Sequence, residues 1–266
     1  MAGAERADRA CERGRRLSEA AKLWGGANYD AIAPYYAPIY DDLIARLAPQ
    51  PGERFLDVAT GTGEVALRAA RAGADVTALD IAPAMLELAR AKPRAESIRF
   101  DLGDVRALPY EDAVFDVVAS NFGVIFVPDR DVVARELARV CRSDGRLGLT
   151  AWFAKPALDE IYQRFGRTPS VDSSAWADAD ELERLLGGAF ELDLSERVWH
   201  LEGASGKDVF EFWSRTAPPT KAYLESLDDD TRVQVRAALV EYWEGFRDGG
   251  GVREPRPYLL VLGRRR

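Results

Sequence analysis

The 266-residue sequence is poor in the residues that build disulfides, metal centres and membrane spans. Its two cysteines, Cys11 and Cys141, lie far apart and fit no disulfide framework or metal-ligand spacing. This usage predicts a reducing, cytoplasmic environment. No apolar run approaches the ~18 residues that cross a bilayer, and the arginine-rich N-terminus lacks the apolar stretch of a secretory signal. We therefore expect no membrane partner.

Histidine is also scarce, and acidic residues outnumber basic ones. The single histidine is His200, and the formal net charge is -8. Proteins that grip phosphate backbones need a basic footprint, so nucleic acid is not a predicted partner. The acidic run Asp228–Asp230 precedes a predicted helix and is typical of N-terminal capping rather than of a metal site. No metal is predicted.

Strand-like runs alternate with helix-like runs between residues 51 and 152. The runs predicted as strands are 54–59, 75–81, 97–104, 115–122 and 145–152. The runs predicted as helices are 64–73, 82–92 and 130–142. This alternation predicts an α/β fold with a doubly wound, mostly parallel sheet and helices on both faces.

The flanking segments predict three parts. Residues 1–50 are interpreted as an N-terminal helical lid, with helical stretches over 5–23 and 28–48. Residues 51–152 form the predicted cofactor-binding core. Residues 153–266 are predicted to supply cap helices and the last strands of the same sheet. The predicted cap helices are 158–166, 178–188, 207–218 and 231–249, and the predicted strands are 190–203 and 258–265.

The stretch LDVATGTGEVA, residues 56–66, places a glycine turn directly after a predicted strand. A triphosphate-binding loop would need a lysine and a hydroxyl after the second glycine, whereas Glu64 and Val65 follow it here. The dinucleotide-binding pattern is satisfied in its letters by Gly61, Gly63 and Ala66, and Asp80 lies at the right distance for a ribose contact.

Acidic residues beside this turn disfavour a dinucleotide. Asp57 precedes the turn and Glu64 begins the helix, where a pyrophosphate would otherwise bind. A sulfonium nucleoside removes the conflict because it carries an ammonium group and no phosphate. Glycine is still required there, since the backbone must approach the ligand closely.

The run DVATGTG, residues 57–63, resembles the first motif of class I S-adenosylmethionine-dependent methyltransferases. LDI, LGDVRALPY, FDVVASNFGVIFVPD and LARVCRSDGRLGLTAW resemble the later motifs of that family in order. The tail GVREPRPYLLVLGRR resembles the closing strand of the small-molecule branch called type 11 or ubiquinone/menaquinone-biosynthesis-like. The resemblance implies a Rossmann-like methyltransferase fold with a seven-stranded sheet, N-terminal helices and a helical cap.

The same resemblance implies S-adenosyl-L-methionine as the cofactor. The Gly61–Gly63 backbone would approach the methionine part, and Asp57 would act at its ammonium end. Asp80 would accept the ribose hydroxyls, while Asp104 and Val105 would bind adenine. The complete set of implied cofactor-binding residues is Tyr29, Tyr36, Asp57, Ala59, Gly61, Gly63, Asp80, Ile81, Asp104, Val105, Asn121 and Phe122.

Methyl transfer from a sulfonium is an in-line displacement on an activated donor, so positioning alone can supply ~7–11 kcal/mol. No catalytic residue is obligatory. His200 is a candidate base, although a strand histidine that packs or faces solvent is the simpler interpretation.

The predicted function is methylation of a small, largely apolar acceptor, with oxygen or carbon slightly favoured. The alternative is a protein of this fold that binds the cofactor without methyl transfer, as a cyclase or binding module. A nicotinamide oxidoreductase is a third hypothesis. Both a monomer and a homodimer agree with the sequence.

Overall fold

The structure, a computed structural model, describes residues 19–26, 29–167 and 171–266. The predicted helix over 5–23 therefore lies largely outside the described residues, and so does Cys11. Helix α1 covers residues 19–25. The predicted stretch 28–48 consists of two 3-10 turns, Tyr29–Ala31 and Ala33–Tyr36, and helix α2, Ala37–Leu47. Its prolines stand in first turns, where the missing N–H costs no hydrogen bond.

The central elements lie where the sequence predicts them. The strands are β1 (Arg54–Val58), β2 (Asp75–Asp80), β3 (Ile98–Leu102), β4 (Phe115–Asn121) and β5 (Cys141–Trp152). The helices are α3 (Glu64–Arg71), α4 (Pro83–Arg90) and α5 (Arg130–Val140). Each helix buries one apolar face against the sheet, and β1, β2 and β4 are almost entirely buried. Near-continuous burial of this kind is expected of parallel strands covered on both sides.

The remainder of the chain adds helices around two long strands. The elements are α6 (Pro156–Arg164), α7 (Ala179–Leu182) with a π turn (Glu183–Gly187), β6 (Phe190–Gly203), α8 (Gly206–Thr216), α9 (Pro218–Glu225), α10 (Asp229–Glu244), β7 (Arg247–Asp248) and β8 (Gly251–Arg265). Asp228 caps α10 by accepting a hydrogen bond from the Thr231 backbone at 2.8 Å. The capping interpretation of the acidic run is thus confirmed.

All the strands belong to one sheet, whose order is β3-β2-β1-β4-β5-β8-β6, with β7 paired to β8. Strands β1 to β5 are parallel to one another, while β8 runs antiparallel between β5 and β6. The sheet therefore has eight strands rather than the predicted seven. The additional strand is the two-residue β7, which the sequence analysis assigned to the end of the helix over 231–249.

The strand order reverses between β1 and β4, and this reversal opens a crevice at their carboxyl ends. Open α/β sheets bind ligands at such a switch point. Within the described ranges, no helix is long and apolar enough to cross a membrane.

Candidate functional site

A cavity lies over the carboxyl ends of β1, β2 and β4, at the switch point of the sheet. Ten of the twelve predicted cofactor-binding residues line it: Tyr29, Asp57, Ala59, Gly61, Asp80, Ile81, Asp104, Val105, Asn121 and Phe122. The motifs are far apart in sequence, and the parallel sheet brings their ends to one edge. We call this space the first cavity.

The glycine turn is held in place by the carboxylate of Asp80. Its Oδ2 accepts a hydrogen bond from the Gly61 backbone at 2.7 Å, and its Oδ1 accepts one from Ala82 at 2.9 Å. Gly61 has a φ of 55°, the left-handed region that favours glycine. Burial raises the pKa of Asp80 above its ordinary value. The motif glycine and the acid that ends β2 therefore form one structural unit.

Asp57 is only 1% exposed and holds the other side of the turn. Its Oδ2 accepts hydrogen bonds from the Thr60 hydroxyl at 2.6 Å and the Ala66 backbone at 3.0 Å. Burial raises the pKa of Asp57 to about 7, although both hydrogen bonds oppose the increase. Thr60 is thus a positioning residue that the sequence analysis did not single out.

Glu64 is neutralised by two cations at the start of α3. Its carboxylate lies 2.6 Å from Arg68 Nη1 and 2.7 Å from Lys92 Nζ. Although burial opposes them, these contacts hold the pKa of Glu64 below its ordinary value. With Glu64 neutralised, the charge that would repel a pyrophosphate comes from the buried Asp57, because an acid that ends the second strand, as Asp80 does, binds ribose in dinucleotide-binding proteins as well.

Asp104 begins the short turn after β3. Its Oδ1 accepts a hydrogen bond from the Arg106 backbone at 3.0 Å, and its carboxylate also pairs with the Arg106 guanidinium at 3.0 Å. Arg106 lines the first cavity as well and was not predicted. The ion pair fixes the carboxylate at the cavity wall.

Two non-glycine residues adopt left-handed backbone at the switch point. Ala59 has a φ of 53° after β1, and Phe122 has a φ of 52° after β4. The Phe122 backbone donates to Thr150 Oγ1 at 3.0 Å, and Thr150 donates to Asn121 Oδ1 at 2.9 Å. The Phe122 ring stacks on Trp152, with centroids 3.8 Å apart. Strained backbone of this kind is concentrated at functional sites, where surrounding contacts hold it.

Two predicted residues lie outside the first cavity. Gly63 faces helix α4, and a Cβ added there would stand 3.1 Å from the Ala89 Cβ. Tyr36 is buried among aromatic rings and lines a neighbouring cavity instead.

Replacing Gly63 with alanine should lower the free energy of unfolding by about 1–2 kcal/mol or more, because its φ is 81° and its neighbour is close. Gly52→Ala is the matched control, since Gly52 has the same φ and nothing within 4 Å. Urea denaturation should show the larger loss for Gly63→Ala. Equal losses would contradict a packing role for Gly63.

A second cavity of about 460 Å³ adjoins the first. Trp24, Tyr29, Phe122 and Phe126 line both cavities. Five further aromatic residues line the second cavity, Tyr36, Trp152, Phe153, Tyr162 and Trp213, together with polar and charged residues such as Lys155 and Arg256. A volume of this size is typical of sites for small organic ligands.

The candidate base His200 lines neither cavity. It lies on β6, opposite Pro255 of β8, and its Nδ1 is 3.2 Å from the Arg253 guanidinium. A base needs hydrogen-bond reach of the reacting atom, directly or through one water. This position favours the structural interpretation of His200.

The sequence analysis missed a buried charged cluster beside the second cavity. Glu254 is 1% exposed and accepts hydrogen bonds from Lys155, Tyr242, Trp243 and Arg256, at 2.7 to 3.0 Å. Although burial opposes them, Arg256 and Lys155 lower the pKa of Glu254 to about 2. Burial and Arg256 lower the pKa of Lys155 to about 8. No local sequence motif predicts this cluster, because Lys155 and Glu254 are remote in sequence.

Comparison with known proteins identifies the core. A family model described as a methyltransferase domain, of type 11, matches residues 56–149. This core is a class I methyltransferase domain. The predictions of the family and of the Rossmann-like methyltransferase fold are thereby confirmed, and the match indicates S-adenosylmethionine, the predicted cofactor.

Two relatives and one solved structure are similar to this chain. An uncharacterised protein of Mycobacterium tuberculosis is 38% identical over 133 residues, which are 49% of this chain and 48% of that protein. The ubiquinone/menaquinone biosynthesis C-methyltransferase UbiE of Brucella anthropi is 37% identical over 160 residues, 55% of this chain and 60% of that protein. The crystal structure of YcgJ from Bacillus subtilis aligns with a TM-score of 0.58 at 21% identity, covering 85% of this chain and 97% of YcgJ. Thus the chain spans about half the length of the curated relatives it matches.

Proposed function

We propose that the protein is a cytoplasmic S-adenosylmethionine-dependent methyltransferase that acts on a small, largely apolar acceptor, with oxygen or carbon favoured as the methylated atom. The observation that carries the proposal is the pair of adjoining cavities at the carboxyl edge of the sheet. Carboxylates and glycine backbone line the first, and aromatic rings line the second. A donor in the first cavity would face an acceptor in the second where the two cavities adjoin.

The buried acids suit a nucleoside that bears an ammonium group and no phosphate. Asp80 keeps a free lone pair on each carboxylate oxygen beside its backbone contacts, so it would accept the ribose hydroxyls without releasing Gly61 or Ala82. Asp57 would attract the ammonium group through the turn that it holds. The Asp57 carboxylate would repel a pyrophosphate.

The adenine and methyl ends would lie on either side of this turn. Asp104 and the Val105 backbone would bind the adenine edge, and Ile81 would pack on its face. Asn121 and Phe122 would line the methyl end, and the stacked Phe122 and Trp152 rings would flank the opening through which the acceptor meets the donor. The Gly61 backbone would approach the methionine part, and Gly63 and Tyr36 would support the site from outside the first cavity.

We further propose that residues 1–50 cover the cofactor, residues 51–152 bind it, and residues 153–266 supply most of the acceptor cavity. Trp24 and Tyr29 line the first cavity from the N-terminal segment. An ion pair of 2.7 Å between Asp30 and Lys92 ties that segment to helix α4 and the core. The aromatic pairs of Trp24 with Phe126 and with Tyr29 add apolar contacts over the site.

Catalysis would depend mainly on positioning. S-adenosylmethionine supplies an activated methyl group, and an acceptor lone pair would attack its carbon in line as the carbon–sulfur bond breaks. The electron pair of that bond stays on sulfur, and any acceptor proton passes to solvent. The aromatic walls would orient the acceptor and exclude water, which together can supply ~7–11 kcal/mol.

Cofactor affinity should increase with pH between about 6 and 7.5. The raised pKa of Asp57, about 7, means that its carboxyl is largely protonated at pH 6, whereas the bound ammonium group favours the ionised form. Binding at pH 6 should be weaker by roughly five- to tenfold, measured by calorimetry with S-adenosylhomocysteine. An Asp57→Asn variant should show a much flatter profile, and an unchanged slope in that variant would exclude Asp57 as the titrating group.

Turnover tests the proposal directly. The purified protein is incubated with S-adenosylmethionine and a panel of small aromatic and aliphatic acceptors, and both S-adenosylhomocysteine and methylated product are quantified. Equal amounts of the two products would support methyl transfer. Tight cofactor binding without turnover of any acceptor would favour the alternative, a cyclase or binding module of the same fold.

A further inference from the structure

The second cavity has a cationic end that apolar packing does not explain. Lys155 follows β5 and Arg256 lies on β8, and both line the cavity. Arg256 is only 5% exposed, and its guanidinium lies 4.3 Å from the centroid of the Trp213 ring, which lines the same cavity. A buried cation against an aromatic wall is an anchor for a ligand that has both an apolar body and a polar group.

The hydrogen bonds of Arg256 leave part of its guanidinium unused. Its Nε and Nη2 both donate to the same oxygen, Glu254 Oε2, at 3.0 and 2.9 Å. Its Nη1 has no hydrogen-bond partner in the described part of the chain. Arginine has five N–H donors in a planar fork, and those of Nη1 remain available. The unused edge therefore fits an acceptor group of a bound molecule.

The ammonium group of Lys155 is similarly underused. Among the described residues it has one hydrogen bond, to Glu254 Oε1 at 2.7 Å, although it carries three N–H donors. Two cations thus share a single carboxylate. Asp159, Asp172 and Arg167 also line the cavity, but neither aspartate forms an ion pair with Lys155 or Arg256 in the described part of the chain. Asp172 instead caps a 3-10 turn by accepting from Ser174 at 2.6 and 3.1 Å.

Glu254 holds the two cations in fixed positions. It is saturated by the indole of Trp243 at 2.9 Å and the hydroxyl of Tyr242 at 2.9 Å, besides its two ionic partners. A carboxylate with so many donors has no capacity left to neutralise a second positive charge. Glu254 is therefore a positioning residue that holds Lys155 and Arg256 at the cavity, where Asp159 offsets part of their remaining positive charge.

We propose that the methyl acceptor is an aromatic or similarly bulky apolar molecule that carries a carboxylate, and that Arg256 and Lys155 bind this carboxylate. The inference rests on the proposed function, because it assigns an acceptor class to the second cavity. The aromatic wall holds the apolar body, and the cationic end fixes its orientation relative to the donor.

Paired acids and amides test this assignment in the full-length protein. The probes are benzoate, 4-hydroxycinnamate and indole-3-acetate, each compared with its primary amide by calorimetry, with and without saturating S-adenosylhomocysteine. At least one acid should bind ten times more tightly than its amide. Arg256→Gln should remove that preference, whereas Arg253→Gln, an exposed change on the same strand, should keep it.

Circular dichroism of each variant reports whether it is folded. If the Arg256→Gln protein is not folded, Lys155→Met serves as the second variant. Equal affinity for acid and amide in all three pairs would overturn the proposal, as would an unchanged preference in a folded Arg256→Gln protein. A preference without any S-adenosylhomocysteine binding would refute the proposed function and support the anion site. Binding of S-adenosylhomocysteine without any preference for the acids would refute only the anion site.

Discussion

Replacing Asp80 with alanine should weaken binding of S-adenosylhomocysteine by at least about 100-fold. Asp80 holds Gly61 and Ala82 through two hydrogen bonds and is proposed to accept the ribose hydroxyls as well. Hydrogen bonds to a charged group contribute about 1.5–3 kcal/mol each, so losing two of them in the complex gives this loss. Calorimetry on the purified variant measures the effect.

Asp75→Ala is the matched control for this change. Asp75 lies at the other end of the same strand, is exposed, and is remote from the first cavity. It should leave affinity unchanged within twofold. If the Asp80→Ala protein is folded, as judged by circular dichroism, and binds as tightly as the control, the position of the cofactor over β2 is wrong.

Replacing Glu254 with glutamine should lower the free energy of unfolding by about 3–5 kcal/mol, because Lys155 and Arg256 would then be buried without a counter-charge. Glutamine keeps the shape of the glutamate side chain and several of its hydrogen bonds. The decrease in the free energy of unfolding therefore measures the contribution of the negative charge. The pKa of Glu254 is lowered to about 2, so its stabilising contribution is complete above its ordinary pKa and is lost as the pH falls toward 2. Urea denaturation at pH 7 measures the difference.

Glu202→Gln provides the exposed counterpart on the neighbouring strand. Glu202 pairs with Arg253 at 3.0 Å on the surface, where solvent screens the interaction. Its replacement should leave stability almost unchanged. Similar losses for the two variants would show that the buried cluster does not depend on the Glu254 charge.

Most of the fold could be predicted from the sequence because its parallel core has strong local signals. Apolar runs bounded by glycine and acidic residues predicted β1 to β5, and helical periodicity of the apolar residues predicted α3 to α5. Helix α9 was missed because Pro218 and Pro219 suggest a loop, although both stand in its first turn. A proline at a helix start is permitted, and only the later residues could reveal the helix.

Strand β8 begins well before the predicted residue 258 for a related reason. Pro255 and Pro257 interrupt the strand pattern, yet both residues pair with β6 alone, beyond the part of β8 that pairs with β5. Proline is tolerated where one side of a strand lacks a hydrogen-bonded neighbour. The two-residue strand β7 pairs with the first residues of β8 and is too short to show a strand pattern in the sequence.

The first cavity was largely predictable, whereas the second was not. Motif residues at strand ends meet because a parallel sheet aligns those ends. The sequence therefore predicted that Asp57, Asp80 and Asn121 lie together in one site. Gly63 was assigned to the ligand by its motif but packs on α4. The contact between Lys155 and Glu254 joins a loop after β5 to a neighbouring antiparallel strand, and only tertiary structure brings them together.

Calorimetry of the purified protein with S-adenosylmethionine, S-adenosylhomocysteine and NAD in parallel tests the central claim most directly. The buried carboxylate of Asp57, directly before the glycine turn, predicts binding of the first two compounds and no response to NAD. Binding of NAD, with no response to either sulfur compound, would contradict the account and assign the glycine turn to a dinucleotide.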